Sequence, residues 1–341
     1  MSTPTRIETT AEDIARYPFP LLERQYRYST NVEPAGGRVE TAAGAWGQLC
    51  IDIDRHFPAE SAERAAILAA DPTRHACLPH MIAAAWDAML FILRELAEGY
   101  PDRMSLTRDG QVYHWRNADL GMDRSFVFGD AASLPTDPLS FVCAQIQEDV
   151  VLLDQRDGTL FADAGVVTFA ADWSFGFDVG MSFLEIHGPV PRIHEERVIT
   201  RAHDFLMRLA PGESYRRTNW TLTVDGKLDT STEVYPEWGR DRRTLAEGPL
   251  AEVGERLYLR TEVQHLIRLP NSGAIMFLIR TYLLPFHAVA TVPEWRERLH
   301  AVLAELPDDM ADYKGLTRTR GPGLRWLSEF GGFGTAGTAG P

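Results

Sequence analysis

Cysteine is scarce. The chain has three, Cys50, Cys77 and Cys143, an odd number with no two close in sequence. That spacing excludes zinc ribbons and cysteine-held iron–sulfur clusters. It also argues against a disulfide framework and for a reducing compartment. Long apolar runs are missing as well. The longest, 274–284, is interrupted by Arg280, well short of the roughly 20 residues that cross a bilayer. Met1 to Pro18 is polar and carries acids, without the basic-then-apolar order of a signal peptide. The expected location is the cytoplasm, with no membrane partner.

Several catalytic signatures are absent too. There is no G-x-G-x-x-G, no G-x-x-x-x-G-K-[ST], no H-E-x-x-H and no G-x-S-x-G, so built-in dinucleotide binding, phosphoryl transfer, zinc hydrolysis and serine hydrolysis lack their usual supports. Basic charge is also in deficit. With 34 Lys and Arg against 48 Asp and Glu, the formal net charge is -14. Such a surface repels phosphate backbones, which excludes nucleic acid as a partner, and attracts a basic protein face.

What remains is 45% hydrophobic and 24% charged, ordinary for a globular chain of 341 residues. Residues 1–40 read as an irregular arm held down by Tyr17, Phe19, Tyr26 and Tyr28. Apolar periodicity predicts helices over 59–70, 80–98 and 191–209, and a last one over 291–306. The last begins with Thr291 and Glu294 spaced as a capping box. Strand patterns fall at 111–115, 125–129, 166–171, 218–224, 257–263 and 274–284, with Asn271-Ser272-Gly273 as a hairpin turn between the last two. The segment 137–153 opens on Pro138 as a helix would, and 236–254 reads as a charged insertion. The mixed order predicts an α+β domain on an antiparallel sheet. The Gly-, Thr- and Ala-rich end from about residue 331 reads as disordered.

Candidate chemistry gathers in 166–284. His187 sits in Glu185-Ile186-His187-Gly188-Pro189-Val190-Pro191, where two prolines and a glycine fix the backbone around one imidazole. Such a residue suits axial ligation of haem iron; it also suits hydrogen bonding to the amides of the following helix. His194 and His203 are nine residues apart and lack metal-helix spacing. Arg217 and Asn219 alternate with Thr218 and Trp220, facing either a pocket or the open side of an edge strand. Arg260, Glu262 and Gln264 share one strand face; with Arg280 they form a buried ion network, line a cavity, or lie on a solvated sheet face. Trp173, Phe175 and Phe177 either flank a planar cofactor or belong to the core.

Taken in order, these segments resemble the haem-dependent oxidative N-demethylases. The match runs through Gln147-Glu148-Asp149-Val150-Val151-Leu152-Leu153, Ile186-His187-Gly188-Pro189-Val190-Pro191 and Arg217-Thr218-Asn219-Trp220. It continues through Leu259-Arg260-Thr261-Glu262-Val263-Gln264-His265-Leu266, Arg268-Leu269-Pro270-Asn271-Ser272-Gly273-Ala274 and Phe277-Leu278-Ile279-Arg280-Thr281-Tyr282. Tyr17-Pro18-Phe19-Pro20 also fits, so the likeness covers roughly residues 15–305. Two departures stand out. Trp173 follows Ala170-Ala171-Asp172 where the family has Pro-Ser, with no lysine after it, and Glu262-Val263-Gln264 replaces Glu-Arg-Gln. These changes fit a divergent member acting on a larger amine.

The resemblance implies a PAS-like sheet enclosing haem b across 41–306, between the arm at 1–40 and a tail at 307–341. It implies a monooxygenase-type oxidation of a small secondary amine, dimethylamine-like, to a primary amine and formaldehyde. Dioxygen is then the oxidant. Because no flavin or ferredoxin motif is present, electrons come in trans from a separate flavin/iron–sulfur reductase. His187 becomes the iron ligand, Arg217, Arg280 and Trp173 cofactor contacts, and Glu262 and Arg217 the catalytic pair. Two other readings share the fold: a haem-binding gas or redox sensor of PAS type, and a haem-free structural subunit. The absence of sustained C-terminal heptads favours an enzyme over a sensor.

Overall fold

The computed structural model describes residues 8–329. Its spine is an antiparallel sheet of five long strands: β1 (Asp149–Arg156), β2 (Thr159–Val166), β3 (Ser214–Val224), β4 (Leu257–Arg268) and β5 (Ile275–Pro285). Their spatial order is β3-β4-β5-β1-β2, with short edge strands Glu33–Pro34 beside β3 and His75–Cys77 beside β2. The α+β expectation holds. The helices are α1 (Phe57–Ala70), α2 (Ile82–Gly99), α3 (Val198–Arg208), α4 (Tyr235–Glu247), α5 (Pro293–Glu305) and α6 (Arg320–Glu329), with several single turns between them. None of the described helices is long and apolar enough to cross a membrane.

Strand alternation divides the sheet into two unlike faces. On the first, Leu266, Ile275, Val151 and Leu153 pack against Leu206 and Leu209 from α3 and its end. On the second, Ile267, Met276, Leu278, Val150 and Leu152 pack on α2. At the other end of that second face, Trp220, Leu222, Leu257, Leu259 and Leu284 meet α5 and the arm. The arm is firmly seated. Tyr17 donates its hydroxyl to the Leu259 carbonyl at 2.7 Å, and Phe19 stacks on Trp295 with centroids 4.8 Å apart. A separate three-stranded sheet (104–109, 112–117, 122–127) packs Trp115 and Phe126 into the α2 core.

Two buried ions hold the loops that flank the spine. Arg64 on α1 donates to the carbonyls of Cys143, Ile146 and Gln147 and to Asp149. Asp149 in turn accepts from the amides of Thr168 and Phe169. Asp87 on α2 accepts from the amides of Asn271 and Ser272 and from both their side chains, at 2.7 to 2.9 Å. The predicted 271–273 turn is thereby pinned to a helix, and Gly273 takes the positive φ of 73° that closes it.

Several expectations need correction. Residues 191–197 are turns rather than helix. Arg192 and Arg197 take positive φ of 58° and 55°, which no α-helix contains. The apolar strand pattern at 166–171 continues only one residue into sheet. The charged stretch 236–254 is mostly the helix α4. Thr291 caps nothing: its hydroxyl donates to the Ala288 carbonyl, and α5 starts from Val292 without a side-chain cap. Nor is α5 the last helix. Asp308–Tyr313 and α6 follow, burying Met310, Leu316, Trp326 and Leu327. The stretch from residue 331 lies outside the described residues.

Candidate functional site

The turns between β2 and β3 cover the first face, and His187 sits among them at the end of the short helix Phe183–Ile186. That helix forms because Ser182 and Glu185 make a reciprocal capping box. His187 Nδ1 lies 2.8 Å from the Phe183 carbonyl oxygen. A carbonyl only accepts, so Nδ1 carries the proton and Nε2 keeps its lone pair. The imidazole therefore bonds to the preceding helix, not to the amides of the following one. Burial holds its pKa below the ordinary value, and the charge of Arg217 lowers it further. A neutral ring with a fixed tautomer and a free Nε2 is the chemistry of a metal-ligating histidine.

Phe183 packs on this ring, with centroids 4.3 Å apart, and apolar side chains of the covering turns are incompletely buried. Trp173, Phe183 and Ile186 are half-buried against the first-face core, while Phe177 is 75% exposed and Leu184 37%. Phe175, by contrast, is plain core at 1%. Partly uncovered apolar side chains of this kind, with Phe183 on the imidazole, suit the edge and face of a planar cofactor.

Beyond the apolar end, the same face turns polar. Arg217 and Asn219 on β3 stand opposite Gln264 and Glu262 on β4. Arg217 donates to the carbonyl of Thr30 and to Gln264 Oε1. No carboxylate of a described residue pairs with it at ion-pair distance, and burial lowers its pKa. Glu262 accepts from Arg260 at 3.2 Å, from Gln264 at 2.9 Å and from Asn219 at 3.3 Å. Arg260 is fully buried and reaches the carbonyls of Leu228 and Phe169. This face is buried, so the solvated-face alternative falls. A groove of about 540 Å³ along the outer side of β3 also reaches Arg217.

His187, Arg217, Glu262 and Trp173 thus belong to one face. Arg280 does not. It alternates onto the second face, where Asp54 and Glu60 pair with it at 2.7 and 3.1 Å. The proposed network of Arg260, Glu262 and Arg280 is split by the sheet. His203 meets Thr159, not a metal site. Among the described residues, the one cluster with metal-ligand spacing is His80, Asp154 and Asp163, and Arg156 already pairs with both acids.

The sequence reading missed two contributors. Lys314 donates to Asn219 Oδ1 at 3.2 Å and to the Trp220 carbonyl at 2.8 Å. Burial, with help from Arg217, brings its pKa down to about 8. Tyr313 lies close enough that Arg217 and Glu262 both act on its hydroxyl. The signal was the apolar pair Met310 and Leu316 around Gly315, whose positive φ of 65° ends the turn.

These features define an α+β protein that presents one conformationally fixed imidazole and a buried Arg–Glu pair on a single sheet face. A family model described as haem-dependent oxidative N-demethylase, alpha subunit-like, matches residues 43–322. The chain belongs to that family.

Proposed function

We propose that this chain is a haem b enzyme of oxidative N-demethylation, with His187 as the proximal ligand and a small secondary amine as substrate. The observation that carries the reading is the fixed His187 tautomer with half-buried Phe183 packed on its ring. The antiparallel order β3-β4-β5-β1-β2, with helices inserted between β2 and β3, supports a PAS-like description of the fold. When bound, haem supplies the oxidation: dioxygen, two electrons and two protons hydroxylate the carbon beside nitrogen, leaving water and a carbinolamine that collapses to aldehyde and smaller amine.

The protein's part is positioning. Phe183 aims the imidazole through its carbonyl. Trp173, Phe183 and Ile186 supply apolar contact and keep water out. Arg217, with no ion-pair carboxylate among the described residues, is the cation available to a propionate. Glu262 is the anion available to a substrate ammonium, held by Arg260, Asn219 and Gln264. Because this chain has no electron-carrying motif, a separate flavin/iron–sulfur reductase delivers electrons, and the net charge of -14 favours docking to a basic face.

The test is an absorption spectrum of the purified chain, oxidised and dithionite-reduced, beside His187→Ala. A Soret band in the wild type that shifts or vanishes in the variant is the expected result. A featureless spectrum from haem-supplied cells would overturn the reading.

A further inference from the structure

The second face of the sheet carries a cavity of about 260 Å³ that the haem reading leaves unused. Val263 and His265 from β4 and Arg280 and Tyr282 from β5 line it, with Leu49 and Cys50 from the stretch before α1. Trp46 and Glu148 also line it.

Three buried polar groups of this lining have no partner among the described residues. Glu148 is fully buried; its Oε1 accepts from the Asp52 amide at 3.0 Å, while Oε2 is left over. His265 is 3% exposed, and both ring nitrogens are left over. So is the buried indole Nε1 of Trp46. Buried polar groups normally find a partner, and three of them around one open volume point to a small bound molecule.

The hydrogen-bonding roles select its class. An indole N–H only donates. Burial and the charge of Arg216 keep His265 neutral, with its pKa down at about 4, so the ring carries one N–H. Burial raises Glu148 to about 7 against the pull of Arg280, so near neutrality its carboxyl also offers an O–H. The other groups acting around Glu148 are Asp52, Tyr282, Tyr100, Cys50 and Cys143, and burial keeps the last four neutral. Asp52 is engaged by Arg16 and Tyr282 at 2.6 Å each, Arg280 by Asp54 and Glu60, and Arg38 by Glu40. Within the lining itself Arg16, Arg38 and Arg280 stand against Asp52 and Glu148 alone. The unused capacity is mainly that of a donor, in a lining with no excess of negative charge. An acceptor bearing one negative charge fits it.

We propose that this cavity is a second binding site, taking a short-chain monocarboxylate whose oxygens accept from the His265 imidazole and from the Glu148 carboxyl. Its carbon chain lies against Leu49, Cys50 and Val263. The bound carboxylate and Glu148 share one proton, because two such groups in contact cannot both stay ionised. Where Glu148 is ionised beforehand, binding draws that proton from solvent. The site does not rest on the haem reading.

The experiment is calorimetric titration of the full chain with sodium butyrate at pH 6 and pH 8, in buffers of different ionisation heat, with butyramide as the neutral analogue. Butyrate should bind the wild type about tenfold more weakly at pH 8 than at pH 6, with proton uptake at pH 8, and butyramide should not compete. Glu148→Gln keeps an N–H donor, so it should bind butyrate alike at both pH values and without proton uptake. Glu148→Ala should weaken binding at least tenfold at pH 6, and His265→Phe severalfold, each variant checked by a cooperative melt. Arg217→Met, on the other face, should bind as the wild type does. Absence of butyrate binding to the wild type, or binding with neither pH dependence nor proton uptake, would overturn the proposal. So would loss of binding in Arg217→Met with Glu148→Gln behaving as wild type, which would place the anion on the other face.

Discussion

His187 Nδ1 and the Phe183 carbonyl oxygen lie 2.8 Å apart, and this one bond decides which nitrogen can reach a metal. It also sets a pH range. Burial and Arg217 hold the ring below its ordinary pKa of 6.5, so protons compete weakly for Nε2. We expect the Soret band of the haem-loaded chain to stay constant from pH 8 to 6 and to change only in more acid solution. Arg217→Met should move that change to higher pH. An ordinary midpoint near 6.5 in the wild type, followed by absorbance titration, would contradict this.

Glu262 lies on the face proposed to receive the haem and substrate, and Glu262→Gln keeps its shape while removing its charge. A charge-assisted hydrogen bond is worth about 1.5–3 kcal/mol, so KM for the amine should rise at least tenfold with kcat less affected. Steady-state kinetics with a reductase supply would test it. An unchanged KM would remove Glu262 from substrate binding.

Asp87 meets four donors of the β4–β5 turn at once. Asp87→Ala leaves two amides and two side chains of this partly exposed turn without their acceptor, a loss of about 1–3 kcal/mol. Urea melts should show the shift, and Asp87→Asn should recover part of it through its remaining carbonyl.

Glu148 and His265 act on stability in opposite senses as pH changes. Glu148 rises from 4.5 to about 7 on folding, so the folded state holds the extra proton and stability falls as pH climbs from 4.5 to 7. His265 drops from 6.5 to about 4, so the unfolded state holds the extra proton and stability grows between 4 and 6.5. Each contribution is roughly 3 kcal/mol, and in the wild type they largely offset. Glu148→Gln should therefore expose a rise of stability with pH across this window, and His265→Gln a fall. Parallel melts at pH 4.5, 5.5, 6.5 and 7.5 would show it; identical pH profiles for the two variants would count against it.

Much of this fold is written in local pattern. The α2 stripe of Met89, Ile92, Leu93 and Leu96, the β4–β5 hairpin, and the shared face of Arg260, Glu262 and Gln264 all follow from periods of 3.6 and 2. Sequence spacing could not assign faces across strands. Arg280 and Glu262 each lie in apolar β patterns, but register opposes Glu262 to Thr281 and sends Arg280 to the other side. The helix α4 was hidden by its charge, since only Trp238, Gly239, Arg242 and Leu245 of it are buried. The cavity around Glu148 and His265 is assembled from β4, β5, the residues before β1 and the 45–52 stretch, so no single window of sequence contains it.

The outer margin of β3 has a consequence for association. Glu33–Pro34 pairs with its first part, Asn31 donates to the Thr218 carbonyl at 3.1 Å, and Lys314 donates to the Trp220 carbonyl. Those carbonyls are the atoms an incoming strand would need. A second copy, or any partner extending the sheet by strand addition, would have to displace an asparagine and a lysine first. Assembly with another protein is thereby directed to side-chain surfaces, and this margin is guarded against fibrous aggregation.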